Sequence, residues 1–83
     1  MQQTYCGISF KYDIDSLTVY EQNLFNNLNK RDFDNLENNF IQYISGNSEN
    51  LTYKLRFLII EFDVQYSVRY NVYTIIINRI SLI

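Results

Sequence analysis

The chain has 83 residues, seven Lys/Arg against nine Asp/Glu for a formal net charge of −2, and a composition 47% hydrophobic and 17% aromatic. That length predicts one domain over residues 1–83 and buries only about 60–65% of the unfolded surface, so stability must draw on dense aromatic packing or on association. A single cysteine excludes an internal disulfide, the absence of histidine excludes an imidazole base and a Cys/His zinc site, and two glycines are too few for a phosphate-cradling loop.

Thr4–Tyr12 reads as a first strand. Cys6, Ile8, Phe10 and Tyr12 alternate with Tyr5, Gly7, Ser9 and Lys11, and a period of two marks a half-buried strand. Gly7 is the weak point, where a bulge or a close backbone approach is expected. Cys6 falls on the apolar side and reads as a small buried filler rather than a nucleophile.

A first helix follows. Asp15 can cap it with Ile14 and Val19 as a hydrophobic staple, or Thr18 and Glu21 can form a capping box one turn later. Leu17, Tyr20, Leu24 and Leu28 supply the apolar stripe, opposed by Gln22, Asn23, Asn26 and Asn29. Asn29-Lys-Arg breaks the pattern. Asp32 or Asp34 then starts a second helix on the stripe Phe33, Leu36, Phe40 and Ile44, flanked by Ile41 and Tyr43, and Gly46 stands where a C′ residue is wanted. A link of about three residues implies an antiparallel helical hairpin.

Gly46-Asn-Ser-Glu-Asn reads as a loop. Residues 49–62 fit both periods: Leu51, Tyr53, Leu55, Phe57 and Ile59 alternate with Thr52, Lys54 and Arg56, yet Leu51, Leu55, Leu58, Ile59 and Phe62 also suit a helix that Ser48 could cap. The crowding of Tyr, Phe, Ile and Val, with no Ala, favours strand. A turn is expected near Glu61–Gln65, then a strand from Gln65 to Ile77 with a bulge or break near Asn71, and Asn78–Ile83 as a tail or short extra strand. The fold expected is therefore α+β in the order βααββ(β). An antiparallel sheet of the N-terminal strand and the C-terminal β-ribbon is covered on one face by the helical hairpin.

The charges divide along the chain. Residues 13–50 hold seven acids against two bases, a net of −5, and residues 51–83 four bases against two acids, a net of +2. Glu21, Asp32, Asp34 and Glu37 are the expected partner-binding residues, forming an acidic helical face for a protein with a basic surface. Lys54, Arg56 and Arg69, with tyrosines nearby, form the alternative surface, for single-stranded nucleic acid. A net of +2 is small for a polyanion, which sets nucleic acid behind protein as the partner.

Three acidic pairs, Asp13/Asp15, Asp32/Asp34 and Glu61/Asp63, have a spacing that could hold Mg²⁺ or Ca²⁺. The first two stand at helix N-termini, where capping explains them, and the third at a solvated turn. No metal or cofactor is expected, and an enzyme subunit or metal-dependent hydrolase using these carboxylate pairs is the third reading. Asn50-Leu51-Thr52 matches a glycosylation sequon by coincidence of pattern.

Met1-Gln-Gln-Thr-Tyr shows no basic and apolar secretion signal, and no apolar run approaches the ~20 residues that span a bilayer, so a cytoplasmic protein is expected. Asn and Ile occur 11 times each and Ala not at all, a bias towards A/T-rich codons that suits a phage or other mobile element. The function expected is a small acidic non-enzymatic inhibitor that binds another protein. It would be an immunity protein or a mobile-element product that blocks a host defence nuclease. The high apolar content favours a homodimer through a sheet face or edge.

Overall fold

The computed structural model describes residues 2–5, 8–46 and 51–83. In chain order the elements are β1 (Gln2–Tyr5), β2 (Ile8–Asp13), α1 (Val19–Asn26), α2 (Lys30–Ile44), β3 (Thr52–Leu55), β4 (Leu58–Ser67) and β5 (Val72–Leu82). The strands form one sheet in the order β1-β2-β5-β4-β3, with β1 and β3 at its edges. This is the expected α+β architecture with two helices over one face.

One pairing departs from expectation. β2 runs parallel to β5, in the register Phe10↔Tyr73 to Asp13↔Ile76, while the other neighbours are antiparallel. The sheet is therefore mixed. Two helices and a hairpin separate β2 from β5, and so long a path allows a parallel partner where a tight turn would forbid it.

Alternation sorts the two faces. Phe10 and Tyr12 of β2, Leu58, Ile60 and Phe62 of β4, and Ile75 and Ile77 of β5 are buried under the helices. Lys11, Lys54, Asp63 and Gln65 stand on the uncovered face. In β5 the buried parity changes after Ile77 and resumes at Ile80. The cause is a bulge: Phe62 pairs with Ile77 but Glu61 with Arg79, leaving Asn78 as the extra residue. Asn78 Nδ2 donates to Asp63 Oδ2 at 2.7 Å, which anchors the bulge across the strands.

The helices begin where their capping residues dictate. Thr18 and Glu21 close the capping box of α1, the second of the two starts the sequence allows. Asn29 caps α2 with Asp32 as its N3 partner, so Asp32 serves one turn inside the helix rather than at its cap. Gly46, at φ 79°, takes the left-handed conformation expected beyond the C-terminus of α2. Leu36 and Phe40 of α2 are fully buried, as the stripe requires. On α1 the buried aromatic is Phe25, and Tyr20 is exposed, because the short helix rotates Phe25 towards Tyr12 and Phe33. Asn27–Asn29 join the helices, yet their backbones do not lie along each other. The close backbone neighbour of α1 is β5, and those of α2 are β3 and β1. They meet through the edge-on Phe25–Phe33 pair, centroids 5.3 Å apart.

Aromatic contacts bind the layers. Phe40 packs edge-on against Phe62 at 4.8 Å, and Tyr12 against Phe25 at 5.4 Å. Such pairs contribute about 0.5–1.5 kcal/mol each beyond their area, which is how a short chain rich in Phe and Tyr secures a core.

Four strand boundaries differ from the reading of the sequence. The first strand is two, since Tyr5 pairs with Ile8 in an antiparallel β1–β2 ladder. Residues 49–62 do not make one strand. Leu55 pairs with Leu58, so the chain reverses at Arg56–Phe57. No turn occurs at Glu61–Gln65, through which β4 runs unbroken, and the reversal falls at Val68–Asn71, flanked by the pair Ser67↔Val72. Asn71, at φ 52°, marks that turn, so the bulge or break expected near it is a break. Asn78–Leu82 continue β5 instead of forming a tail. The expectations for Cys6, Gly7, Ser48 and the sequon at Asn50 lie outside the described residues.

Candidate functional site

The four acids assigned to a partner surface do not share one. Glu21 Oε1 accepts the Thr18 N–H at 2.9 Å, closing the capping box, and its Oε2 accepts the Ile80 N–H at 3.0 Å. β5 extends past the end of β2, so the Ile80 N–H lies on an edge that no strand covers, and Glu21 takes the place of the missing carbonyl. The Ile80 N–H foremost, then the Thr18 N–H and hydroxyl, hold the Glu21 carboxyl below the usual glutamate range.

Asp32 is buried. Its Oδ2 accepts the Asn29 N–H at 3.2 Å and Arg56 Nη2 at 2.6 Å. Arg56 is itself more than half exposed, so this ion pair ties the β3–β4 turn to α2 but adds little stability, about 0–1 kcal/mol.

Glu37 is only 2% exposed, and its Oε1 accepts the Tyr12 hydroxyl at 2.8 Å. Burial pushes its pKa up and the Asp34 charge adds to this, while the Tyr12 hydrogen bond works in the opposite sense. The Tyr12 hydroxyl is raised by burial first, and then by its bond to Glu37 and the charge there. Asp34 alone of the four remains half exposed with no internal bond among the described residues.

The three bases of the alternative surface are dispersed too. Lys54 lies on the uncovered face of β3, Arg56 in the β3–β4 turn and Arg69 in the β4–β5 turn. The two turns stand at opposite ends of β4, roughly 30 Å apart at the rise of an extended strand. Among the described residues no three carboxylates gather as a metal would need, and the acidic pairs have other tasks. Asp13 Oδ1 accepts the Asp15 N–H at 3.0 Å in a tight turn before α1, and Asp63 holds the Asn78 bulge.

Two other surfaces emerge instead. At the β3–β4 turn, Phe57 (57% exposed), Leu82 (54%) and Ile83 (64%) form an apolar end. The Ile83 N–H donates to the Phe57 carbonyl at 2.9 Å, which fixes the two side by side. A depression of about 300 Å³ lined by Asn29, Arg31, Asp32, Asn35, Leu55 and Arg56 adjoins it. At the β4–β5 turn, an open cleft of about 430 Å³ is lined by Lys11, Ser67, Tyr70, Val72 and Thr74.

The sequence carried a signal for the burial of Glu37, which stands one turn from both Phe33 and Phe40 on the apolar stripe. It carried none for the cleft, which needs Lys11 brought beside a turn some sixty residues away. Comparison with protein-family models, with curated proteins and with solved structures returned no match. No helix among the described residues is long and apolar enough to cross a membrane.

Proposed function

We propose that the chain is a small non-enzymatic module that works by binding another protein. The observation that carries this reading is the apolar end formed by Phe57 in the β3–β4 turn, Leu82 at the end of β5 and Ile83 just beyond it, three large side chains more than half exposed. Water around such a group is released when a partner covers it, and aromatic anchors of this kind dominate the energy of interfaces. Arg31 lines the depression beside it and is exposed, with Arg56 at its edge already paired to Asp32. The partner that fits therefore presents an apolar patch rimmed by acids at this end, in place of the basic surface that the acids of the helices suggested. Three of those acids are engaged within the fold, and Asp34 is the one left to meet a basic group. The composition supports the finer reading, an inhibitor of the immunity or anti-defence kind acting on a host or cognate protein.

The test is capture of partners from the cell that encodes the chain, with the wild type and a Phe57→Ser/Leu82→Ser variant as baits. Both residues are exposed, so the variant is expected to keep its fold, checked by circular dichroism. Loss of a specific partner from the folded variant is the expected result. Equal capture by both baits sinks the reading.

A further inference from the structure

We propose that the cleft at the β4–β5 turn is a binding site for a nucleoside phosphate, with the ring stacked on Tyr70 and the phosphate held by Lys11. This goes beyond the protein-binding reading and uses the opposite end of β4.

The fold builds the cleft from three segments. Thr74 stands opposite Lys11 in the parallel β2–β5 ladder, and Ser67 opposite Val72 where β4 turns into β5. The turn itself is fastened. Tyr66 donates its hydroxyl to Asn71 Oδ1 at 2.7 Å, and the Tyr70 N–H donates to Ser67 Oγ at 3.4 Å. Asn71 sits at φ 52°, a conformation Asn tolerates better than most residues. These contacts set Tyr70 at the rim of the cleft, 68% exposed. The Arg69 guanidinium lies 5.3 Å from the centre of the Tyr70 ring, so the aromatic carries a cation on it.

The chemistry of the lining is specific. Lys11 offers a positive charge, Ser67 and Thr74 offer hydroxyls, Val72 an apolar floor and Tyr70 a flat ring. A phosphate beside an aromatic heterocycle satisfies all of them at once, and stacking with a nearby base is the usual mode of nucleotide capture by an exposed sheet. The volume, about 430 Å³, suits a small-molecule site. Asp13 and Asp15 line an adjoining depression on the far side of Lys11. They repel an anion there and confine the phosphate to the Ser67 and Tyr70 side. The site thus takes one nucleotide unit, free or within a single strand, rather than a long track of backbone.

Amide chemical shifts of the ¹⁵N-labelled protein, titrated with adenosine 5′-monophosphate and separately with decathymidylate, test this. Saturable shifts centred on Lys11 and residues 66–74 are expected with at least one probe. A response to the mononucleotide assigns a free nucleotide, and a response to the oligonucleotide alone assigns a single strand. Tyr70→Ala is expected to weaken binding about tenfold, as removal of a stacking ring does, and Lys11→Gln to weaken it and reduce its dependence on salt. Both positions are exposed, and the spectra of the variants report their folding directly. The proposal is overturned by an absence of saturable shifts with both probes. Affinities that change less than twofold in both variants, or equal affinity for inorganic phosphate alone, overturn it as well.

Discussion

Glu37 shows how one side chain can be misassigned when only its charge is weighed. It lies on α2 between the partly buried Phe33 and the buried Phe40, and the helical period that turns those rings to the core buries the carboxylate with them. The aromatic stripe was legible in the sequence. The polar partner was not, because Tyr12 is 25 residues away on β2 and no local pattern links them. A buried acid is tolerable only with a donor, and here the Tyr12 hydroxyl supplies it. Tyr12→Phe keeps the ring and its contacts with Phe25, Phe33 and Phe40 but removes that donor. The expected loss of stability at pH 7 is about 1–3 kcal/mol, the usual cost of leaving a buried acceptor unsatisfied. Without the hydroxyl the Glu37 pKa moves further up, so the loss shrinks when Glu37 is protonated. Urea denaturation of both proteins at pH 7 and pH 4 measures this. A loss of equal size at the two pH values would show that the hydroxyl does not serve the carboxylate.

At the scale of elements, helices were legible and strand ends were not. A 3.6-residue stripe is local, so α2 and its Gly46 stop could be read directly, but its start lies earlier than Asp32 or Asp34, because Asn29 is the cap and Asp32 its N3 partner. The β3–β4 reversal is hidden because Phe57-Leu58-Ile59-Ile60 is apolar throughout, and the change of phase at the turn leaves no polar gap. The turn residues themselves are Arg56 and Phe57, with none of the Gly, Asn or Asp that announce a hairpin. Yet Arg56 adopts φ 53°, the left-handed region that such a turn needs at its first position. The sequence accepts backbone strain there and keeps the side chain that reaches Asp32. Two variants separate these effects. Arg56→Ala and Arg56→Gly both lose the ion pair, but only glycine relieves the φ. Arg56→Gly should therefore be the more stable of the two by about 1 kcal/mol, the reverse of the order seen where φ is negative. Thermal unfolding of the pair decides the matter, and alanine matching glycine would mean that the turn is unstrained.

Over the whole molecule, sequence periodicity assigns faces but not neighbours. It placed the helices on a sheet, and it could not reveal that β5 is central or that β2 joins it in parallel, because pairing is settled by packing across the chain. That arrangement leaves the Ile80 N–H on an open edge and puts Glu21 there to cover it, while Glu37 is driven inward on the other helix. The two glutamates consequently titrate in opposite senses. Glu21 is held below its unfolded pKa, so its stabilisation is present above the ordinary glutamate range and is lost as pH falls through the lowered value. Glu37 is held above its unfolded pKa, so its contribution is fully present below that range and is lost as pH rises through the raised value. The ordinary range, near about 4.3, divides the two windows. Glu21→Gln should flatten the acid limb of the stability profile and leave the rest unchanged, and Glu37→Gln should flatten the limb above it. The residues lie on different helices and share no hydrogen-bond partner, so the double variant should show both changes added together. Denaturation midpoints from pH 2.5 to pH 8 give the profile. An upper limb that keeps its slope in Glu37→Gln would refute the assignment for Glu37, and an unaltered acid limb in Glu21→Gln would show that the open edge of β5 draws nothing from the carboxylate.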